Sequence, residues 1–336
     1  VGTRINYDMP GTRSLFTSAA RRADDLTPPF REGLIALDDD WASPELWAVM
    51  RAAASAHTPN FYVAALDRKL DETGSVVRVL PGERIYLPLF WKTMGISAAI
   101  AAICLVVAFP VAHLLATLPL RQSNILMILV LLPFWTSLLV RTTAWIALLQ
   151  SQGVVNNALV ATGAITDANR IPMMYNQTGT IIAMTHILLP FMILPLYSVM
   201  RTINPTYVRA ARSLGASSWT AFRRVYLPQT LPGVGAGVLL VFILAVGYYI
   251  TPALVGGAGD QMVSYFVAFF TNQTINWGMA AALGSVLLVA TLALIAITVG
   301  VLWAATTVVG QVNEVVTTSI AYTDRAQRVL EIGRAH

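Results

Sequence analysis

Charge is scarce in this chain. Asp, Glu, Lys and Arg make up 12% of its 336 residues and apolar residues 56%, where a soluble domain carries about a quarter charged residues. Such a shortage excludes a chain bathed in water along its whole length, and lipid is the usual cover for the apolar excess. The single cysteine, Cys104, excludes an internal disulfide framework and a cysteine-built metal cluster. Its apolar neighbours mark it as a small buried hydrophobe. His113 and His186 stand alone without ligand spacing, so a metal site is not expected. No Ser-His-Asp set or paired carboxylates argue for catalysis. The Gly-x-x-x-x-Gly-Lys-Ser/Thr phosphate loop is also missing, so any use of ATP and its Mg requires a partner. The first thirty residues hold Arg4, Arg13, Arg21 and Arg22 but no apolar core of a secretory signal.

The apolar residues are concentrated. Residues 1–85 read as soluble protein, rich in Arg, Asp and Pro, whereas Phe90 to Val309 is almost wholly apolar. A spanning helix needs roughly 20 apolar residues. Five runs meet that need: Ile96 to Ala116, Ile125 to Leu149 interrupted by Arg141, Thr180 to Met200, Leu231 to Thr251, and Met279 to Thr306. Met262 to Asn272 is apolar but too short to cross, and reads as an interfacial or re-entrant helix. The runs lack the period-2 alternation of a membrane barrel, and helices satisfy their own backbone in lipid. The expected fold is an all-α polytopic membrane protein with five membrane-spanning helices.

The net charge of +5 and a pI near 9.5 do not point to nucleic acid, because the arginines gather at the ends of apolar runs. Arg209, Arg212, Arg223 and Arg224 lie between the third and fourth runs without any Asp or Glu, and Arg121 lies between the first and second. The positive-inside rule puts both loops, and the tail with Arg325, Arg328 and Arg334, in the cytoplasm. Residues 1–89 then lie outside, 90–309 form the membrane domain, and 310–336 form a cytoplasmic tail. A long outer segment needs something upstream to start its translocation. The reading therefore predicts a sixth transmembrane helix before Val1, lost by truncation or a wrong start site.

At about 204–230 the chain carries its most specific pattern, with Arg209-Ala210-Ala211, then Gly215, Ser217, Trp219 and Phe222, then Val225-Tyr226-Leu227-Pro228. Gly215 suits the left-handed residue that ends a helix, and Ser217 suits the cap of the next. Leu227-Pro228 predicts an extended break before the chain re-enters the membrane. The result is a protruding helical hairpin whose Trp219 and Phe222 suit a cleft on a partner.

Ala210, Ala211, Gly215, Val225, Leu227 and Pro228 stand at the spacing of the EAA loop of ABC importer permeases, which this stretch resembles. Arg209 departs from the pattern at a position where many members carry Glu. The resemblance implies a type I ABC importer transmembrane domain whose hairpin, Arg209 included, seats in a groove on an ABC ATPase dimer. It also implies a second permease subunit, an extracytoplasmic solute-binding protein, a bacterial inner-membrane location and no cofactor in this chain. Leu132 to Trp145, Tyr226 to Gly233 and Gly247 to Leu254 are similar to the spermidine/putrescine permeases, implying a polyamine cargo. Other members of the class carry phosphonates, opines or iron complexes. A secondary transporter or channel is disfavoured because no intramembrane acid for ion coupling is present.

For the substrate path the candidates are Trp135, Arg141, Trp145, Tyr248, Tyr249 and Asp260. A charge within a span usually faces a polar cavity or the bundle interior. Arg141 therefore reads as a contact with the path or with the second permease, or else as a snorkelling residue near the outer interface. An arginine repels a polyamine, and no acid lies within the spans, so residue chemistry by itself does not favour a cation. The aromatic residues can hold an amine by their faces or anchor the interface. Asp260 stands ready either to meet an incoming amine or to remain a solvated loop acid. In the outer segment, Ser43 and Pro44 predict a helix over Pro44–Ala54.

Overall fold

Long apolar runs become long helices. The computed structural model describes residues 5–6, 9–54, 59–71, 75–301, 303–304 and 307, so the C-terminal tail and its arginines lie outside the described residues. In chain order the helices begin with α1 (Thr12–Arg21), α2 (Phe30–Leu37), α3 (Pro44–Ala54) and α4 (Asn60–Ala65). An antiparallel ribbon of β1 (Arg68–Leu70) and β2 (Val76–Arg78) follows. Then come α5 (Tyr86–Thr117), α6 (Leu120–Leu131), α7 (Leu138–Leu149), α8 (Val154–Ala161) and α9 (Gln177–Thr202). The rest are α10 (Thr206–Ser213), α11 (Ser218–Ala221), α12 (Leu227–Gly247), α13 (Ile250–Val255), α14 (Val263–Asn272) and α15 (Trp277–Val301).

Four stretches are long and apolar enough to cross a membrane uninterrupted: α5, α9, Ser218–Gly247 and α15. The run expected as the second span is instead a broken pair, Leu120–Trp135 and Leu138–Ala161, bent by 98°. Arg141 is not the cause. The chain leaves helical geometry at Thr136 and Ser137, directly after the 3-10 turn Leu132–Trp135. Pro133 in that turn has no N–H to continue the ladder. Counting the pair as one gives five spans. The short apolar stretch forms α14, and α3 occupies its expected bounds with Ser43 Oγ accepting from the Leu46 N–H at 3.4 Å.

The chain divides into two compact units. One lies within Val1–Ile96 and Tyr248–Leu288. Its N-terminal helices close over Ile5, Leu15, Trp41 and Leu46, with the Phe16 and Trp41 rings edge to face at 5.3 Å. A second cluster joins Ala65 to Val263, Met279, Ala282 and Leu283, against Phe90 and Phe266. Asp67 fixes the start of α5. Its carboxylate is 5% exposed and accepts from the N–H groups of Ile85, Tyr86 and Leu87 at 3.0, 2.9 and 2.7 Å. Pro88 has no N–H, and Leu89 donates to the Ile85 carbonyl at 3.2 Å. Every donor of the first turn is therefore satisfied, as a helix entering lipid requires.

The other unit lies within Ser97–Gly247 and Val289–His336. Along α5 the residues Ile100, Cys104, Ala108, Ala112 and Leu115 are buried, a stripe repeating every three or four residues that faces the bundle. Cys104 donates to the Thr185 carbonyl at 3.5 Å, in keeping with its expected packing role. The tightest crossing joins α9 to α12. A Cβ on Gly237 would lie 2.7 Å from Met192 Sδ, and one on Gly233 would lie 3.0 Å from Val199 Cβ and 3.1 Å from the Pro195 carbonyl. Small residues four apart let two membrane helices approach this closely.

Candidate functional site: the protruding hairpin

The hairpin is formed by a helix that the sequence ends on purpose. α10 stops at Leu214, and Gly215 follows with φ +91°. The Ala216 N–H reaches back to the Ala211 carbonyl and the Gly215 N–H to the Arg212 carbonyl, both at 3.0 Å. This pair of bonds is the Schellman closure, which a left-handed glycine permits. Ser217 then starts α11, its Oγ accepting from the Thr220 N–H at 3.2 Å. The expected glycine stop and serine cap are both present.

The expected break at Leu227-Pro228 is not. Leu227 is helical, with φ −57° and ψ −43°, and the helix runs unbroken over Ser218–Gly247. A π-turn over Phe222–Tyr226 lies just before the proline. The wider turn shifts the hydrogen-bond ladder where Pro228 lacks a donor and its ring would crowd the preceding carbonyls. Gln229 Nε2 donates to the Val225 carbonyl at 2.7 Å. The second arm of the hairpin is thus continuous with a membrane helix.

No residue of α10 is buried. Arg209, Ala210, Arg212, Arg223 and Arg224 are exposed, and Ala211 is half-buried. Arg209 Nη2 donates to Thr206 Oγ1 at 3.4 Å, within its own helix. Leu214 is 89% and Trp219 67% exposed, so two large apolar side chains flank the glycine turn on a basic surface. Phe222 faces the other way. It stacks between Trp219 and Tyr226 at 5.8 and 5.7 Å and meets the edges of Phe109 and His113 at 6.2 and 6.1 Å. Tyr226 Oη and His113 Nδ1 are hydrogen-bonded at 2.9 Å. At the same end of α5, Arg201 Nη1 donates to the Ala116 carbonyl at 2.8 Å, capping the helix.

Two of these residues escape sequence reasoning. Leu214 carries a faint signal, an apolar residue immediately before a terminating glycine. His113 carries none, because its partner lies 113 residues away. Removing either end of that bond, by His113→Phe or Tyr226→Phe, is expected to cost about 1 kcal/mol. The double variant is expected to cost less than the sum of the two. Thermal unfolding of the purified chain in detergent reads both.

The substrate-path candidates fall into two groups. In one unit, Trp135 is 89% exposed at the end of the 3-10 turn. Trp145 Nε1 donates to His186 Nδ1 at 3.2 Å, with the rings 5.1 Å apart. Arg141, one turn before Trp145 on α7, keeps its Nε buried without a hydrogen-bond partner among the described residues. In the other unit, Tyr248 and Tyr249 occupy the break between α12 and α13, and the Tyr248 carbonyl accepts from Ser264 Oγ at 2.6 Å. Asp260 is not a solvated acid: it forms a 3.0 Å ion pair with Lys92, which also donates to the Gly259 carbonyl.

The sequence profile described as the binding-protein-dependent transport system inner membrane component matches residues 73–309. The chain is 34% identical over 210 residues to the spermidine/putrescine transport system permease protein PotB of Haemophilus influenzae, covering 62% of this chain and 73% of that protein. To PotB of Escherichia coli it is 35% identical over 203 residues, covering 59% and 73%. A crystal structure of a bacterial alginate ABC transporter, in complex with an alginate-bound periplasmic protein, superposes with a TM-score of 0.53. It covers 79% of this chain and 94% of that one, at 16% identity, a likeness of fold. The chain belongs to the family of binding-protein-dependent transport system inner membrane components.

Proposed function

We propose that this chain is one of two permease subunits of an ABC importer and that its hairpin docks on a partner ATPase dimer. The observation that carries the reading is the Gly215 closure, which holds exposed Leu214 and Trp219 at the tip of a basic hairpin whose first arm has no buried residue. The second arm continues into α12 without a break in the helix. Movement of the docked ATPase therefore passes into the membrane as rotation of a whole helix, which suits alternating access. By the positive-inside rule the hairpin and tail are cytoplasmic, and residues 1–89 face outward, where a solute-binding protein delivers cargo.

The cargo we propose is a polyamine such as spermidine or putrescine, supported by the 34–35% identity to the PotB proteins. Among the described residues the outer-loop carboxylate of Asp260 is neutralised by Lys92. An amine would then rely on aromatic faces such as Tyr248 and Tyr249, while Arg141 serves the second permease. A second reading draws on Arg141, whose orphaned buried donor suits an anionic solute such as a phosphonate. Uptake by the assembled transporter in proteoliposomes separates the two. ATP-dependent entry of labelled putrescine, competed by spermidine, supports the polyamine. Entry of a phosphonate alone sinks it and leaves the ABC permease assignment standing.

A further inference from the structure

The ribbon before α5 places three arginines around one hollow. Arg68 and Arg78 are directly opposite each other on β1 and β2. Arg84 is anchored beside them, its Nε donating to the Val79 carbonyl at 3.1 Å. Together with Leu66, Asp67 and Leu87 they line a cup of about 250 Å³. Like charges opposed across two strands destabilise the pair, and none of the three arginines forms an ion pair among the described residues. Asp67, held at the head of α5 by the N–H groups that both its oxygens accept, offsets only one of the three charges. The cup holds three positive charges against one negative.

The cup continues into an apolar groove. Leu66 and Leu87 also line a second hollow of about 110 Å³, bounded by Tyr86, Phe90, Trp91, Val263, Leu283 and Val286. This groove runs down the first turns of α5, where the membrane-spanning helix begins, and Trp91 is 70% exposed on it. Exposed tryptophan at the head of a span marks the headgroup level of a bilayer. A basic cup at that level, opening onto an apolar channel that points along the span, matches one ligand shape: an anionic head joined to a hydrocarbon tail.

We infer that this is a binding site for one anionic phospholipid, its phosphate held by Arg68, Arg78 and Arg84 and an acyl chain laid in the groove beside Leu87 and Phe90. Arginine suits the role, since its fork meets phosphate oxygens in pairs. The bound lipid offsets the repulsion across the ribbon and ties the outer segment to the membrane surface.

The test uses the assembled transporter, purified, delipidated and titrated with phosphatidylglycerol, and read by native mass spectrometry. Phosphatidylglycerol is expected to bind at least about tenfold more tightly than phosphatidylcholine. The triple variant Arg68→Gln, Arg78→Gln, Arg84→Gln is expected to weaken phosphatidylglycerol by roughly a hundredfold, at about fivefold per basic side chain near an anionic surface. The single variant Arg78→Glu, exposed on a short strand, is expected to weaken it at least about fivefold, with a melting temperature no lower than that of the wild type excluding misfolding. Equal retention by wild type and triple variant overturns the inference, as does equal binding of the zwitterionic lipid. Displacement of the lipid by millimolar inorganic phosphate assigns the cup to a free anion and overturns it too. Loss of the solute-binding protein from the triple variant, with lipid retained, assigns the arginines to a protein surface and equally refutes it.

Discussion

Gly215→Pro is expected to abolish ATP-driven uptake while leaving the membrane helices folded. Proline holds φ near about −65°, whereas Gly215 sits at +91°. The substitution also deletes the N–H that donates to the Arg212 carbonyl at 3.0 Å. The strain and the lost closure together amount to about 3 kcal/mol or more, which lowers the equilibrium constant for the correctly turned hairpin by roughly a hundredfold. Nothing lies within 4 Å of a Cβ built on Gly215, so the effect comes from the backbone and not from a clash. Gly215→Asn provides the contrast, because asparagine tolerates the left-handed region; it is expected to keep most of the activity. Uptake in proteoliposomes and ATPase co-purification measure both, with helix content by circular dichroism as the control. Full coupling in the proline variant would contradict the proposed docking.

Gly233→Val is expected to destabilise the fold strongly. Its first added carbon alone would stand 3.0 Å from Val199 Cβ and 3.1 Å from the Pro195 carbonyl. The second of these is backbone and cannot swing aside, so α9 and α12 must separate. Inserting extra methylenes into a well-packed contact of this kind costs about 1–3 kcal/mol and occasionally more. The helix-propensity gain on leaving glycine is at most about 1 kcal/mol, so the steric term wins. At Gly247 a Cβ meets nothing within 4 Å, so Gly247→Ala is expected to be neutral or slightly stabilising. A melting-temperature comparison of the two variants in the same detergent decides the matter. Equal melting temperatures would mean that the α9–α12 crossing is looser than described.

The parts of this protein that were legible in sequence are those governed by local rules. Apolar run length gave the helices because lipid leaves the backbone no other choice. Gly215 and Ser217 were legible because a helix stop and a helix cap need particular residue types at fixed offsets. Pro228 misleads for the same reason: the local rule says break, but a π-turn at Phe222–Tyr226 absorbs the missing donor. The second span looks continuous in sequence, with Arg141 as its irregularity, whereas the turn at Pro133 bends it. The ribbon at Arg68–Arg78, the Asp67 cap, the Lys92–Asp260 pair and the His113–Tyr226 bond were illegible. Each depends on tertiary placement, which a periodicity cannot report. The candidate path residues show the limit most clearly, since Asp260 looks free in sequence and is paired in the fold.

The docking claim is tested most directly by a photo-crosslinking residue placed at Trp219, which is 67% exposed beside the turn, in the assembled transporter in native membranes. The account predicts a crosslink to the nucleotide-binding subunit whose yield changes when ATP is added, and which disappears when Gly215→Pro is introduced. A crosslink only to lipid, or one to the ATPase with the same yield in the proline variant, would contradict it.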